Sequence, residues 1–265
     1  MNAAEKKMVE ILTDLRENHQ VQGIKTEFEG EGIRIEDLIR QKEISMLAGL
    51  PITVKIGGGE AMTDMTLAKT IGVGKIVAPM MESSFAVTKF LEAAQKVYEP
   101  DELSDIKLGI NIETISAYNC YKEILANPNF DKLYGISIGR KDLAFSMGMD
   151  RKGMDGSQVT DTCRSIMEMT KKAHPHVKCI VGGISSGRDS IELLRTAYGS
   201  LLDAYETRKV IFSAQELNAD PVAALRKALE FEILYYSNKK AHYTSIATLD
   251  DAYLERLQKN YNALI

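Results

Sequence analysis

Glu113 and Asp142 each stand where a strongly apolar, strand-like run meets a helix. The runs are Lys107-Leu-Gly-Ile-Asn-Ile-Glu-Thr114 and Tyr134-Gly-Ile-Ser-Ile-Gly-Arg-Lys-Asp-Leu143. If they are neighbouring strands of a parallel barrel, both carboxylates emerge at the end where enzymes of that architecture keep their chemistry. Two hard oxygen ligands with room for water and substrate suit a divalent ion, Mg²⁺ or Mn²⁺.

Other residues could join them. In Val21-Gln-Gly-Ile-Lys-Thr-Glu-Phe-Glu29, alternate positions share a face. Lys25, Glu27 and Glu29 then point one way, and Ile24, Thr26 and Phe28 the other. Three charges in line either meet water at an exposed edge or are paired or metal-bound inside a barrel. Their clustering toward the end of the run favours the second reading.

Lys55 closes the next run, just before Gly57-Gly-Gly-Glu60. A cation beside the backbone N–H groups of Gly57, Gly58 and Gly59 is a natural seat for a carboxylate, phosphate or enolate oxygen. A plain surface turn would use the same glycines. A desolvated Lys55 could also form a Schiff base, but neighbouring carboxylates keep a lysine protonated and favour a metal mechanism.

Glu82 either holds substrate or a metal-bound water, or caps the helix beginning near Ser83, the simpler role. Gly182-Gly-Ile-Ser-Ser-Gly187 offers backbone amides to an anion at a helix N-terminus. His19, His174, His176 and His242 fall in helix ends, loops or the tail, so no catalytic imidazole is expected. No Ser-His-Asp order, P-loop or nucleotide-binding glycine fingerprint is legible.

These groups need a scaffold. The chain has 265 residues and 45% hydrophobic composition, enough for one barrel of about 250 residues. A formal charge of −4 points neither to nucleic acid nor to an anionic membrane. Cys120, Cys163 and Cys179 lack CxxC spacing and read as reduced, mostly buried thiols. The N-terminus reads as a charged amphipathic helix and not a signal peptide. No apolar run approaches the ~18 residues of a membrane span. The expectation is a cytoplasmic enzyme.

Strand-like runs at 21–29, 52–56, 75–79, 108–113, 135–139, 177–181 and 207–213 alternate with helical periodicity at 35–48, 61–71, 83–97, 115–126, 157–173, 187–197 and 221–237, behind a first helix at 3–18. That alternation implies βαβ units and a mainly parallel sheet. The fold class is α/β, a TIM-like (β/α) barrel. Seven strands are countable where a closed barrel wants eight, so the first strand is either missing or altered, or one strand is overlooked. Residues 1–237 read as the barrel domain. Residues 238–265 read as a helical tail of the same domain, suited to packing on another subunit in a homo-oligomer.

Ile76-Val-Ala-Pro-Met-Met-Glu-Ser83, Ile110-Asn-Ile-Glu-Thr114 and Ile138-Gly-Arg-Lys-Asp-Leu143 with Gly148 together resemble the HpcH/HpaI aldolase/citrate lyase family. The likeness runs from about Gly23 to Gly148 and, more faintly, to about Ser213. It implies Glu113 and Asp142 as ligands of Mg²⁺ or Mn²⁺, and makes Glu27-Phe-Glu29 similar to the family's acidic Asp-x-Glu. It implies a carbon–carbon lyase or aldolase working through the enolate of a 2-oxo acid (pyruvate or oxaloacetate type) or of a CoA thioester. The chain departs from the pattern at three places. Lys55 stands where the family has an arginine, Gly30-Glu-Gly-Ile33 carries no histidine, and no opening strand is recognisable before Val21. A phosphate-binding barrel enzyme, or a non-catalytic ligand-binding subunit of the same fold, remain the alternative readings.

Overall fold

The computed structural model describes residues 1–183 and 188–263. Eight strands close a barrel in sequence order: β1 (Val21–Glu27), β2 (Ile52–Lys55), β3 (Lys75–Ala78), β4 (Lys107–Ile112), β5 (Gly135–Gly139), β6 (Lys178–Gly182), β7 (Ala204–Glu206) and β8 (Val210–Ser213). The barrel has its first strand, β1, which pairs with β2 from Ile24↔Ile52 to Glu27↔Lys55. The overlooked strand is β7. Its three residues are too few to show an alternation.

The closure departs from an all-parallel barrel. β1 to β7 pair in parallel, whereas β8 runs antiparallel to both β7 and β1. The cause is connection length. Only Thr207, Arg208 and Lys209 separate β7 from β8, and a parallel return needs a crossover of a dozen or more residues. The run expected over 207–213 is therefore a hairpin turn followed by a strand that points down the barrel.

Helices cover the outside: α1 (Ala3–Asn18), a single turn α2 (Phe28–Glu31), α3 (Ile35–Leu47), α4 (Met62–Ile71), α5 (Ser84–Val97), α6 (Pro100–Asp105), α7 (Ile115–Asn119), α8 (Tyr121–Leu125), α9 (Arg140–Ser146), α10 (Ser157–Ala173), α11 (Arg188–Tyr198) and α12 (Pro221–Asn262). Local chemistry fixes their starts. Asn2 and Glu5 form a reciprocal capping box on α1, Ser83 Oγ accepts from Ala86 N on α5, and Thr114 Oγ1 accepts from Ala117 N on α7. The helix expected over 115–126 is broken at Cys120 into α7 and α8. The helix expected over 221–237 continues unbroken through the tail as α12, which packs against α1. No helix among the described residues is long and apolar enough to cross a membrane.

The strand alternation sorts two environments. Ile24, Ile52, Val54, Ile76, Ile110, Ile112, Ile136, Ile138 and Val181 face the helices and are almost fully buried. Positions on the other face project into the barrel: Lys25, Glu27, Thr53, Lys55, Lys75, Asn111, Ser137 and Glu206. The interior is thus largely polar; Val77 also faces it, and Ile180, Ala204 and Ile211 form a small apolar cluster of their own. The exposed-edge reading of β1 is overturned. Lys25 and Glu27 face inward. Cys163 and Cys179 are buried thiols whose pKa values burial raises to about 11 and about 12.

Candidate active site

At the C-terminal ends of the parallel strands lies a cavity of about 290 Å³, lined by charged side chains from most of the barrel. Glu113 follows β4 directly and is 2% exposed. Two donors fix its carboxylate, Met80 N at 3.1 Å to Oε1 and Asn111 Nδ2 at 3.0 Å to Oε2, and the Lys55 ammonium forms an ion pair 3.6 Å from Oε1. Met80 adopts a left-handed φ of 52° just after Pro79, which aims its N–H at Glu113. Such a conformation is uncommon outside glycine and gathers at functional sites.

Gly139 supplies the space. A Cβ there would stand 2.6 Å from Glu113 Oε2, so any side chain would displace the carboxylate. Gly182, its partner across the β5–β6 ladder, does the same for Glu206, whose Oε1 would lie 3.0 Å from an added Cβ.

Lys55 ends β2 with its ammonium 3.6 Å from both Glu27 Oε2 and Glu113 Oε1. Arg208, from the β7–β8 turn, donates to Glu27 Oε1 at 3.1 Å. Lys25 pairs closely with Glu206, which also accepts from Ser137 Oγ at 3.2 Å. Asp142 lies in the first turn of α9 and lines the cavity with Glu113. Among the described residues it has no hydrogen-bonding or ion-pairing partner, which leaves both its oxygens for a ligand.

Several expected members fall elsewhere. β1 ends at Glu27, and the chain turns into α2 with Gly32 left-handed at φ 54°. Glu29 therefore sits on an exposed helical turn beside Gly57, outside the cavity. Gly57, Gly58 and Gly59 do not line it either, and the Gly57 amide is already taken by Asp64 Oδ2 at 2.7 Å. Glu82 neither caps α5, where Ser83 does so, nor enters the cavity; it accepts from Thr114 Oγ1 at 2.5 Å. In Gly182–Gly187 only the first two glycines are described; residues 184–187 lie outside the described residues. His19 and His174 are held by Glu216 and Asp131, away from the cavity.

Sequence reasoning missed Glu206, Arg208 and Arg140. Arg140 is fully buried and clamps the floor of the site, donating to Asp155 Oδ1 at 2.7 Å and to the Gly183 carbonyl at 2.9 Å. It stands in the Ile138–Leu143 segment, one residue past the end of β5, and that position was the available signal.

A divalent ion fits the donor chemistry here. Glu113 and Asp142 offer hard carboxylate oxygens, and among the described residues no group occupies those of Asp142. No group of three His, Cys, Asp or Glu gathers as a metal cluster among the described residues, so water and substrate would complete the shell. Mg²⁺ keeps several waters by preference, so two carboxylates suffice.

A larger cavity of about 520 Å³ lies outside the barrel between α11 and α12. Its lining is mainly apolar (Ile191, Leu225, Leu229, Ile233) with Arg226 and Glu230 beside it, whereas the smaller cavity gathers charged groups from several strand ends and is the better candidate for chemistry.

Solved structures with this fold include an HpcH/HpaI aldolase from Desulfitobacterium hafniense, 12% identical over 78% of this chain and 83% of that one, with a TM-score of 0.62. An HpcH/HpaI aldolase/citrate lyase family protein from Burkholderia cenocepacia is 14% identical over 85% and 89%, with a TM-score of 0.60. A citrate synthase variant is 17% identical over 84% and 89%, with a TM-score of 0.57. By sequence, no family model and no curated protein matches the chain.

Proposed function

We propose that the chain is a divergent member of the HpcH/HpaI aldolase/citrate lyase family, a carbon–carbon lyase dependent on Mg²⁺ or Mn²⁺ that works through the enolate of a small 2-oxo acid. The observation that carries this is the Lys55 ammonium 3.6 Å from both Glu27 and Glu113 at the strands' C-terminal mouth, beside the Asp142 carboxylate, which has no partner among the described residues. The fold likeness to two HpcH/HpaI proteins supports it. A cavity of about 290 Å³ suits a short oxo acid or the thioester end of a CoA ester better than a large ligand.

The residues divide the work. Arg151, Lys141 and Arg208 line the rim and bind the substrate carboxylate. Glu27, oriented by Arg208, takes the proton of the hydroxyl beside the scissile bond. As the C–C bond breaks, its electron pair ends on the 2-oxo oxygen, where the Lys55 ammonium offsets the charge. Lys25, held by Glu206, returns a proton to the enolate carbon; Glu27 then releases the proton it took to solvent, and Lys25 takes one back from solvent. Glu113 and Asp142 would hold the metal, which when bound acts as a Lewis acid on developing oxyanion charge. Lys55 itself, an ammonium between two carboxylates, is the charge-stabilising partner and not a Schiff-base nucleophile.

The test is retro-aldol cleavage across a panel of 4-hydroxy-2-oxo acids. Turnover should vanish with EDTA and return with Mg²⁺ or Mn²⁺. Full activity in EDTA would remove the metal from the account.

The partner we propose is a second copy of the chain. The distal part of α12 exposes Leu249, Tyr253, Leu257 and Tyr261, each 58% or more, at helical spacing. The apolar groove near the start of the same unbroken helix cannot receive that helix's own tip, so another copy's tip is the natural occupant. Light scattering should give an oligomeric mass, and a chain ending at residue 238 a smaller one. A monomeric full chain would contradict this.

A further inference from the structure

We propose that the opposite, N-terminal mouth of the barrel is a second ligand site, taking a small oxyanion (a carboxylate or inorganic phosphate) on the ammonium of Lys75. The proposal is independent of the metal and lyase reading.

A cavity of about 270 Å³ opens there, and Lys75 at the start of β3 projects into it. Its stem crosses the barrel floor where β4 has only Gly109, whose added Cβ would meet Lys75 Cε at 3.7 Å. Among the described residues the ammonium has no ion-pair partner and no hydrogen bond. What it meets is the face of Tyr134, 4.7 Å from the ring centroid, which it shares with Lys107 at 4.8 Å. The acid lining this cavity, Asp203, is already committed to Lys171 at 2.6 Å, Lys178 at 2.9 Å and the Cys179 amide at 2.8 Å.

Among the described residues no counter-charge touches this cation, and burial without one in contact is costly. Burial lowers the Lys75 pKa to about 8; Glu206 opposes the shift, while Lys25 and Lys107 add to it. An oxyanion would supply the missing partner, with the side-chain amides of Gln22 and Gln215 at the rim as neutral donors. The fit is to a small, hydrogen-bonding anion, because the lining is more polar than apolar and a ring closes one side. The Lys75 side chain also lines the narrow interior cavity that Lys25, Lys55 and Glu206 share with the upper site. A ligand on Lys75 would thus sit on the same polar axis as the candidate active site.

Calorimetric titration of the full chain with sodium phosphate, and separately with sodium succinate at matched ionic strength, tests this. Expected is one saturable site in at least one arm, weakened tenfold or more by Lys75→Met, retained by Lys75→Arg and unchanged by Glu113→Gln. The two arms distinguish phosphate from carboxylate. In the wild-type protein, saturating ligand should also slow acetylation of Lys75 relative to the exposed Lys96 on α5, read by mass spectrometry, which keeps the test open if Lys75→Met does not fold. No saturable heat in either arm, binding indifferent to Lys75→Met, or unprotected Lys75 would each overturn the proposal.

Discussion

Glu113→Gln is expected to lower turnover by roughly 10²–10³-fold or more, the scale seen when one preorganised charge-stabilising group is removed. The substitution keeps the shape. Met80 N can still donate to the remaining carbonyl oxygen, as it now does at 3.1 Å. What changes is the charge. Lys55 loses one of its two carboxylates, and a divalent ion loses one of two protein ligands. With that oxygen on Met80 N, the new NH2 faces Asn111 Nδ2, donor against donor, and turned the other way it faces the Met80 N–H. Steady-state rates at saturating Mg²⁺ should fall while the far-ultraviolet spectrum and melting temperature stay near wild type. Asp142→Asn should act mainly on the metal concentration needed for half-maximal rate, because Asp142 has no partner to lose among the described residues. Wild-type rates in Glu113→Gln would remove this residue from the site.

The second large effect concerns stability. Lys209 is fully buried behind β8. It pairs closely with Glu31, whose side chain is 1% exposed, and donates to Thr26 Oγ1 at 3.1 Å. Tyr235 presents its ring 4.3 Å from the ammonium, so α12, α2 and the β7–β8 hairpin meet at one charge. Lys209→Met leaves Glu31 buried without its main partner, which should cost about 3–5 kcal/mol. Thr26 Oγ1 at 3.1 Å and the Tyr236 hydroxyl at 3.2 Å still reach Glu31, so the lower end is expected. The double variant Lys209→Met with Glu31→Leu should recover most of the loss, since replacing both members of a buried pair is often neutral. Urea unfolding measures both, and a single variant as stable as wild type would contradict the account.

The same pair predicts a pH signature. Burial lowers the Lys209 pKa to about 8 from 10.5, with Glu31 opposing the shift. Between about pH 8 and 10.5 the unfolded chain therefore binds more protons than the folded one. Stability gains a rising contribution with pH across that window, and none from this group below it. Lys209→Met should lose that slope relative to wild type.

The alternation of apolar runs and helices made the barrel legible, together with the residues at the ends of β2, β4 and β5. Lys55, Glu113 and Asp142 stand at strand-to-helix junctions, and topology alone brings such junctions to one mouth. What escaped depended on longer-range or shorter-range causes. β7 has three residues, so Glu206 had no strand to be read from. Because Thr207–Lys209 allow only a tight return, β8 is inverted, and Arg208 at the hairpin tip reaches Glu27 from the far side of the closure. Glu29 followed by extrapolating a two-residue period past Phe28, whereas Gly30 and Gly32 let the chain turn. Arg140 stands at a strand end that the sequence marks, but its partners lie 15 and 43 residues away, which no local pattern encodes.

The most direct measurement is a crystal structure grown with Mn²⁺ and oxalate, an enolate mimic. The account predicts one anomalous peak at the C-terminal mouth, within bonding distance of the Glu113 and Asp142 carboxylates. Oxalate should chelate it, and the Lys55 ammonium should rest on an oxalate oxygen. Manganese bound elsewhere, or oxalate held with neither carboxylate touching metal, would contradict it.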